Sequence, residues 1–189
     1  ESNLIFGYCD RLDALHKGLD LLLEGFSTFI SKGGSAELWL IGDGKDRIFL
    51  ENYAKSLCIA DKVKFLGPLY GDEKIEKIRL FDVFVHTSRW DAAPTALLEA
   101  AALSKPLLIS EETNIGNFVE RYSSGIVLQK NSPIHIASAM RGFDRRYLTN
   151  TILKIGKSAN LMIKREFEWT YIANRMINEV YELDQYLKE

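Results

Sequence analysis

The chain has 189 residues, 47% of them hydrophobic and 26% charged, which is ordinary globular composition and, at roughly 150 residues per domain, one domain or one with an appendage. Lys plus Arg is 24 against 26 Asp plus Glu, a formal net charge of −2, so no general positive field is present for nucleic acid or an acidic polymer. Two cysteines, Cys9 and Cys58, exclude a disulfide scaffold and a four-cysteine zinc site.

The opening Glu1-Ser2-Asn3-Leu4 has neither an initiator Met nor a basic n-region, so it is not a signal peptide. It leads almost directly into a strand, and the expectation is a chain cut from something larger. Asn3 to Cys9 is a short apolar run that reads as a buried strand. A helix follows from about Lys17, with Leu19, Leu22, Leu23, Phe26, Phe29 and Ile30 forming one stripe; Lys32-Gly33-Gly34 stops it. Glu37 to Ile41 is the next strand, closed by Gly42-Asp43-Gly44. A helix over about Lys45 to Cys58 is expected to bury Ile48, Phe49, Tyr53 and Leu57. Val63 to Leu66 is a third strand, ended by Gly67-Pro68, and Asp72 to Leu80 a short charged helix. Val83 to His86 is a fourth strand. Pro94 opens a helix to about Leu103. Pro106 to Ser110 and Gly125 to Leu128 are the fifth and sixth strands, with a short helix from about Ile115 to Tyr122 between them. From about Ser132 the pattern is helical only.

Strands separated by helices mean βαβ units and a mostly parallel sheet with helices on both faces. The reading is an α/β, Rossmann-like, doubly wound sheet of about six strands. Residues 1–130 alternate strand and helix, and about 131–189 form a helical tail. No apolar run approaches the ~20 residues of a membrane span, and cytoplasmic residence is the expectation.

In such a sheet, ligands bind beyond the carboxyl ends of the strands. The segment Ser88 to Ala100 is the most informative there. A strand ends, Ala92 and Ala93 make a turn that lets an anion approach, and Pro94-Thr95 start a helix whose first amides are unpaired and electropositive. A phosphate site is the natural use. Glu99 is the only charged residue between Ala92 and Ser104. Its side chain leans toward the helix start, where it either accepts from two vicinal hydroxyls, as on a ribose, or caps the turn or reaches water. Arg11 and Lys17 flank the loop after the first strand. Lys17 at a helix start opposes the dipole, so it is either half of a solvated pair or has an anionic partner.

Other candidates are plainer. Gly42-Asp43-Gly44-Lys45 has the spacing of neither a P-loop nor a dinucleotide fingerprint and reads as a turn. His16, His86 and His135 lack metal-ligand spacing; His86 is expected to be packed at the sheet rim, with a sugar contact as the alternative. From Arg141 to Arg165 seven basic residues accompany one acid, Asp144. That run reads as a solvated helix face, with peripheral contact at the inner face of a membrane as the minority reading.

The ordered set of segments resembles the C-terminal domain of family-4 retaining glycosyltransferases, one half of the two-domain GT-B fold. It comprises Arg11-Leu12, His16-Lys17-Gly18-Leu19-Asp20, Leu40-Ile41-Gly42-Asp43-Gly44 and Val63-Lys64-Phe65-Leu66-Gly67-Pro68. It continues through Asp82 to Arg89, Pro94 to Ala100 and Lys105-Pro106. The resemblance covers nearly the whole chain. It implies binding of a nucleotide-diphospho-sugar, UDP- or GDP-linked, and transfer of a hexose-type sugar to a glycan, lipid or other acceptor. The acceptor would be held mainly by an N-terminal domain absent from these residues.

Carried over, Arg11 and Lys17 neutralise the diphosphate and Ala92, Ala93, Pro94 and Thr95 cradle phosphate or sugar. Glu99 is the second glutamate of the E-x7-E motif and holds the ribose. Asp91 takes the first glutamate's place at the donor sugar, and the backbone around Leu66-Gly67-Pro68 forms the base-binding wall. No metal or other cofactor is implied. Asp91 is a methylene shorter than the family's Glu. Ala92 replaces its Gly, and Asp10 replaces a Gly and adds a negative charge beside the diphosphate. The alternative reading is a degenerate, non-catalytic module that binds a nucleotide or a protein. A sugar epimerase of the same architecture has no motif of its own here. The chain alone is expected not to transfer sugar. A final helix, Trp169 to Leu187, is expected to carry Ile172, Met176, Ile177 and Val180 across to the missing domain.

Overall fold

Period-two alternation puts Phe6 and Tyr8 on one face of the first strand and Ile5 and Cys9 on the other, and both faces are buried. A strand apolar on both sides must lie inside a sheet covered by helices above and below. The computed structural model, which describes residues 4–91, 94–148, 151–168 and 172, has that arrangement. Strands β1 (Leu4–Cys9), β2 (Ala36–Ile41), β3 (Val63–Gly67), β4 (Val83–His86), β5 (Leu107–Ser110) and β6 (Gly125–Leu128) form one sheet in the order β3-β2-β1-β4-β5-β6. Every pairing is parallel. The order reverses between β1 and β4, and the crevice at that switch point is where a doubly wound sheet holds its ligand.

The helices are α1 (Ala14–Lys17), α2 (Leu19–Ser31), α3 (Arg47–Ser56), α4 (Gly71–Arg79), α5 (Thr95–Ala102), α6 (Gly116–Arg121), α7 (Pro133–Leu148) and α8 (Ile152–Met162), with a π-helical turn at Ile163–Phe167. One core joins Phe6, Tyr8, Leu38, Leu40, Val83 and Val85 to α2, α3 and α7. The other joins Cys9, Ile41, Phe84, Leu107 and Ile109 to α4, α5, α6 and α8. No helix among the described residues is long and apolar enough to cross a membrane.

Two expectations are corrected. The helix expected from about Lys17 is broken in two, because Gly18 takes a left-handed φ of 64° and ends α1. A Cβ there would lie 2.1 Å from the Thr87 carbonyl oxygen, so the break seats the chain against the end of β4. Lys17 therefore closes α1 rather than opening a helix. In α3 the buried residues are Leu50 and Ala54, with Tyr53 and Leu57 packed beside them. Ile48 and Phe49 are 74% and 52% exposed. The stripe that faces the sheet is 50, 53, 54 and 57, an i, i+3, i+4, i+7 set in which the small Ala54 counts and the larger Ile48 and Phe49 do not. The helix expected over Trp169 to Leu187 lies, apart from Ile172, outside the described residues.

Candidate functional site

The loops that follow β1 and β4 meet over the switch point, and the two are bound together by charge. Asp13 caps α1, its Oδ1 accepting from His16 N at 2.9 Å, and this aims Lys17 toward β4. Lys17 Nζ lies 2.5 Å from Asp10 Oδ2 and 2.7 Å from Asp91 Oδ2, with its side chain only 8% exposed. Burial disfavours the ammonium, but the bonds to Asp10 and Asp91 outweigh that and hold the Lys17 pKa above its ordinary value. Lys17 is therefore not half of a solvated pair: its ammonium is held by two of the protein's own carboxylates.

His86, packed at the sheet rim as expected, also carries a contact the sequence did not suggest. Its Nε2 is 2.9 Å from Asp91 Oδ2; a carboxylate here accepts, so Nε2 holds the proton. Ser88 Oγ completes the cluster, 3.0 Å from His86 Nε2. His86 Nδ1 is buried with no hydrogen-bond partner among the described residues. The His86 bond, then Lys17, hold the Asp91 carboxyl far below the usual carboxylate range despite its desolvation. Asp10, His86 and Asp91 offer ligand atoms within 4.8 Å of one another, but the Lys17 ammonium already contacts both carboxylates, and the cation of this cluster is a side chain.

Arg11 is exposed at the same rim. Its Nη2 lies 3.1 Å from His16 Nδ1, and His16 Nε2 is 2.9 Å from the Trp90 carbonyl oxygen. That oxygen only accepts, so Nε2 carries the proton and Nδ1 accepts from the guanidinium. The His16 ring stacks on the Trp90 indole at 4.7 Å. Arg89 fastens the two loops from below, with Asp20 held through Nη1 and Nη2 at 2.9 and 2.7 Å. Asp91 also bridges Thr113 in the loop after β5.

A cavity of about 350 Å³ opens beside this cluster, lined by Cys9, Asp10, Arg11, Ile41, Gly42, Asp43, Pro68, Leu69, Tyr70, Lys74, Thr95 and Ala96. These are the carboxyl ends of β1, β2 and β3 and the start of α5, and the size is that of a small-molecule site. Thr95 thus lines the cavity as expected, and Pro94 caps α5, while Ala92 and Ala93 lie outside the described residues. Leu66 and Gly67 do not line it. Leu66 packs into the second core; of the Leu66-Gly67-Pro68 segment, Pro68 lines the cavity, followed by Leu69 and Tyr70. Gly42 is more than a turn residue: at φ 137° it passes so close to Asp10 that a Cβ would lie 2.0 Å from the Asp10 oxygen. Burial pushes the Cys9 thiol up to about 11, which leaves it inert at neutral pH.

Among the described residues, the partner of the Glu99 carboxylate is Lys74. Lys74 Nζ, from α4, lies 2.8 Å from its Oε1 and 2.7 Å from its Oε2, and Lys74 itself lines the cavity. Sequence reasoning missed Lys74, one of several cations on a charged helix with nothing to mark it. A larger hollow of about 540 Å³ lies beyond β5 and β6, but its walls include Glu111 and Glu120 and no cation, which suits no anionic ligand.

Known proteins with this pattern are glycosyltransferases. The sequence pattern of the family described as glycosyl transferases group 1 matches residues 1–150. An uncharacterized glycosyltransferase of Methanocaldococcus jannaschii is 26% identical over 173 residues, which are 88% of this chain and 42% of that protein. The chain thus spans less than half the length of that relative. Among solved structures, HepE of Anabaena in complex with UDP superposes with a TM-score of 0.80 at 18% identity, over 95% of this chain and 49% of that one. The C-terminal domain of a group 1 glycosyl transferase from Francisella tularensis gives 0.74 at 18% identity, over 88% of this chain and 87% of that domain. With a Rossmann-like sheet of the GT-B kind and the family's pattern over most of its length, this chain belongs to the glycosyl transferases group 1 family.

Proposed function

We propose that the chain is the donor-binding half of a retaining glycosyltransferase that takes a UDP- or GDP-linked hexose and passes the sugar to a glycan, lipid or other acceptor held largely by a second domain. The observation that carries this reading is the pairing of Lys17 with Asp91 across the switch point, beside a cavity whose lining includes Arg11 and Lys74 together with Asp10 and Asp43. Arg11 and Lys17 stabilise the diphosphate as it leaves, where negative charge grows in the transition state. Asp91 addresses the donor sugar, Pro94 and Thr95 begin the helix that faces the phosphate, and Glu99 holds the ribose hydroxyls. Lys17 and Glu99 each have protein partners, so donor binding exchanges ion pairs rather than filling bare positions. No resident cofactor is proposed, since the cations are side chains. The UDP bound by HepE is of the ligand class expected here.

Calorimetric titration with UDP, GDP and ADP, then with their sugar conjugates, tests the reading. One nucleotide should bind saturably, and Lys17→Ala and Glu99→Ala should each weaken it at least tenfold. Unchanged affinity in Glu99→Ala would remove the ribose role. Turnover by this chain alone would contradict the need for a second domain.

A second reading is a degenerate module without transfer activity, favoured by the two carboxylates, Asp10 and Asp91, that already engage Lys17. Restoring Gly at position 10, Glu at 91 and Gly at 92 in the complete protein separates the two. A marked gain of transfer or donor hydrolysis supports degeneracy; no change from an already active level sinks it.

A further inference from the structure

Asp10 lines the cavity and pairs with Lys17, which does not line it. Its side chain is 29% exposed against 8% for Lys17 and 11% for Asp91, so of the three it stands most open to solvent. The two carboxylates are not held alike. Asp91 Oδ2 is held by His86 as well as by Lys17, and its backbone is bridged to Thr113. Asp10 Oδ2 has Lys17 alone among the contacts described, while Asp10 Oδ1 accepts from Arg11 N at 2.6 Å. The Asp10 backbone cannot retreat, because its N–H donates to the Ile41 carbonyl and Gly42 presses against its carbonyl oxygen. A diphosphate that engages Arg11 and Lys17 therefore shares their immediate surroundings with a fixed negative charge.

That charge does not weigh equally on the two ligands of a transfer reaction. In a nucleotide sugar the distal phosphate is joined to the sugar by an ester and to its neighbour by an anhydride, which leaves it one negative charge. In the free nucleoside diphosphate it is a terminal phosphate with a second ionisation at about pH 6, as for other terminal phosphates, so at neutral pH it carries close to two charges. On the reading that this is a donor site, we propose that Asp10 is a specificity-determining residue that disfavours the nucleoside diphosphate product more than the nucleotide-sugar donor. It competes for Lys17, and it repels the more highly charged ligand the harder. The consequence is a site that fills with donor and empties of product, at some cost in affinity for both.

The test is calorimetric titration of the unaltered chain, Asp10→Asn and Asp10→Gly at pH 7.5 and fixed ionic strength. The probes are UDP with UDP-glucose and GDP with GDP-mannose. Asparagine keeps the Oδ1 that accepts from Arg11 N, and glycine removes the side chain at a partly exposed loop position. Both variants should therefore fold, which their thermal unfolding checks. For the pair that binds, both variants should hold the diphosphate roughly tenfold more tightly and the sugar conjugate no more than about threefold. Equal tightening of both ligands would make Asp10 a simple competitor and overturn the discrimination, as would unchanged or weakened diphosphate binding in the variants. Binding by the unaltered chain without a variant effect removes this inference alone. No binding of any probe by any of the three proteins removes the donor-site reading and this inference together.

Discussion

The Lys17 cluster shows what residue types do and do not announce. Arg11, Lys17, Asp91 and Glu99 are legible in the sequence because each stands just beyond a strand or in an apolar stretch where a charge needs a reason. Their partners are not legible. Lys17 and Asp91 lie 74 positions apart, and nothing local says that this carboxylate closes on that ammonium. His86 looked like core and is core, yet its Nε2 is the first cause of the lowered Asp91 pKa. A depressed folded-state pKa contributes stability that is complete above the unfolded value, near 3.8 for Asp91, and is lost as pH falls through the folded one. Asp91→Asn should thus lower Tm by about 5 °C between pH 5 and 8, since it leaves a buried lysine with one carboxylate instead of two. The two Tm curves should converge as pH falls below the ordinary carboxylate range. Thermal unfolding followed by circular dichroism from pH 2 to 8 checks this; a constant gap down to pH 2 would mean that the loss comes from packing, not charge.

At the scale of elements, apolar periodicity located every strand and most helices within a residue or two, because a doubly covered sheet leaves little freedom in where an apolar run can go. It failed where geometry is set by backbone rather than by hydrophobicity. The break at Gly18 and the close crossing at Gly42 are contacts between main chains, and a sequence without its fold does not say which glycine is pressed. Two left-handed glycines make the point testable. At Gly33, φ is 85° and a Cβ meets nothing within 4 Å; at Gly18, φ is 64° and a Cβ meets the Thr87 oxygen at 2.1 Å. Gly33→Ala pays for conformation only, about 1 kcal/mol. Gly18→Ala adds a backbone clash and should cost about 3 kcal/mol or more. Because Thr87 begins the loop that carries Asp91, Gly18→Ala should also weaken nucleotide binding, while Gly33→Ala, at the opposite end of α2, should not. Urea unfolding and titration of both variants measure the difference, and equal losses in the two would mean that Gly18 does not seat the loop.

At the scale of the molecule, the candidate site belongs to no single element. Its cavity is walled by the ends of β1, β2 and β3 and by the start of α5, and the Lys17 cluster joins the loop after β1 to the loop after β4. The alternation that reveals the sheet also reveals this edge, which is why the crevice could be named from sequence while the side chains pairing across it could not. A ligand held by loops from both sides of the switch point binds only when the sheet that spaces them is intact, so it stabilises the folded chain as a whole. A nucleotide at a hundred times its Kd should therefore contribute about 2.7 kcal/mol and raise Tm by about 5 to 10 °C for a chain of this size. The shift should grow with the logarithm of ligand concentration, and at the same ligand concentration it should fall to about half or less in Lys17→Ala. Thermal unfolding against UDP and GDP concentration distinguishes this from binding to a local loop. If calorimetry registers a nucleotide while Tm stays fixed at saturation, that nucleotide is not held preferentially by the folded switch point.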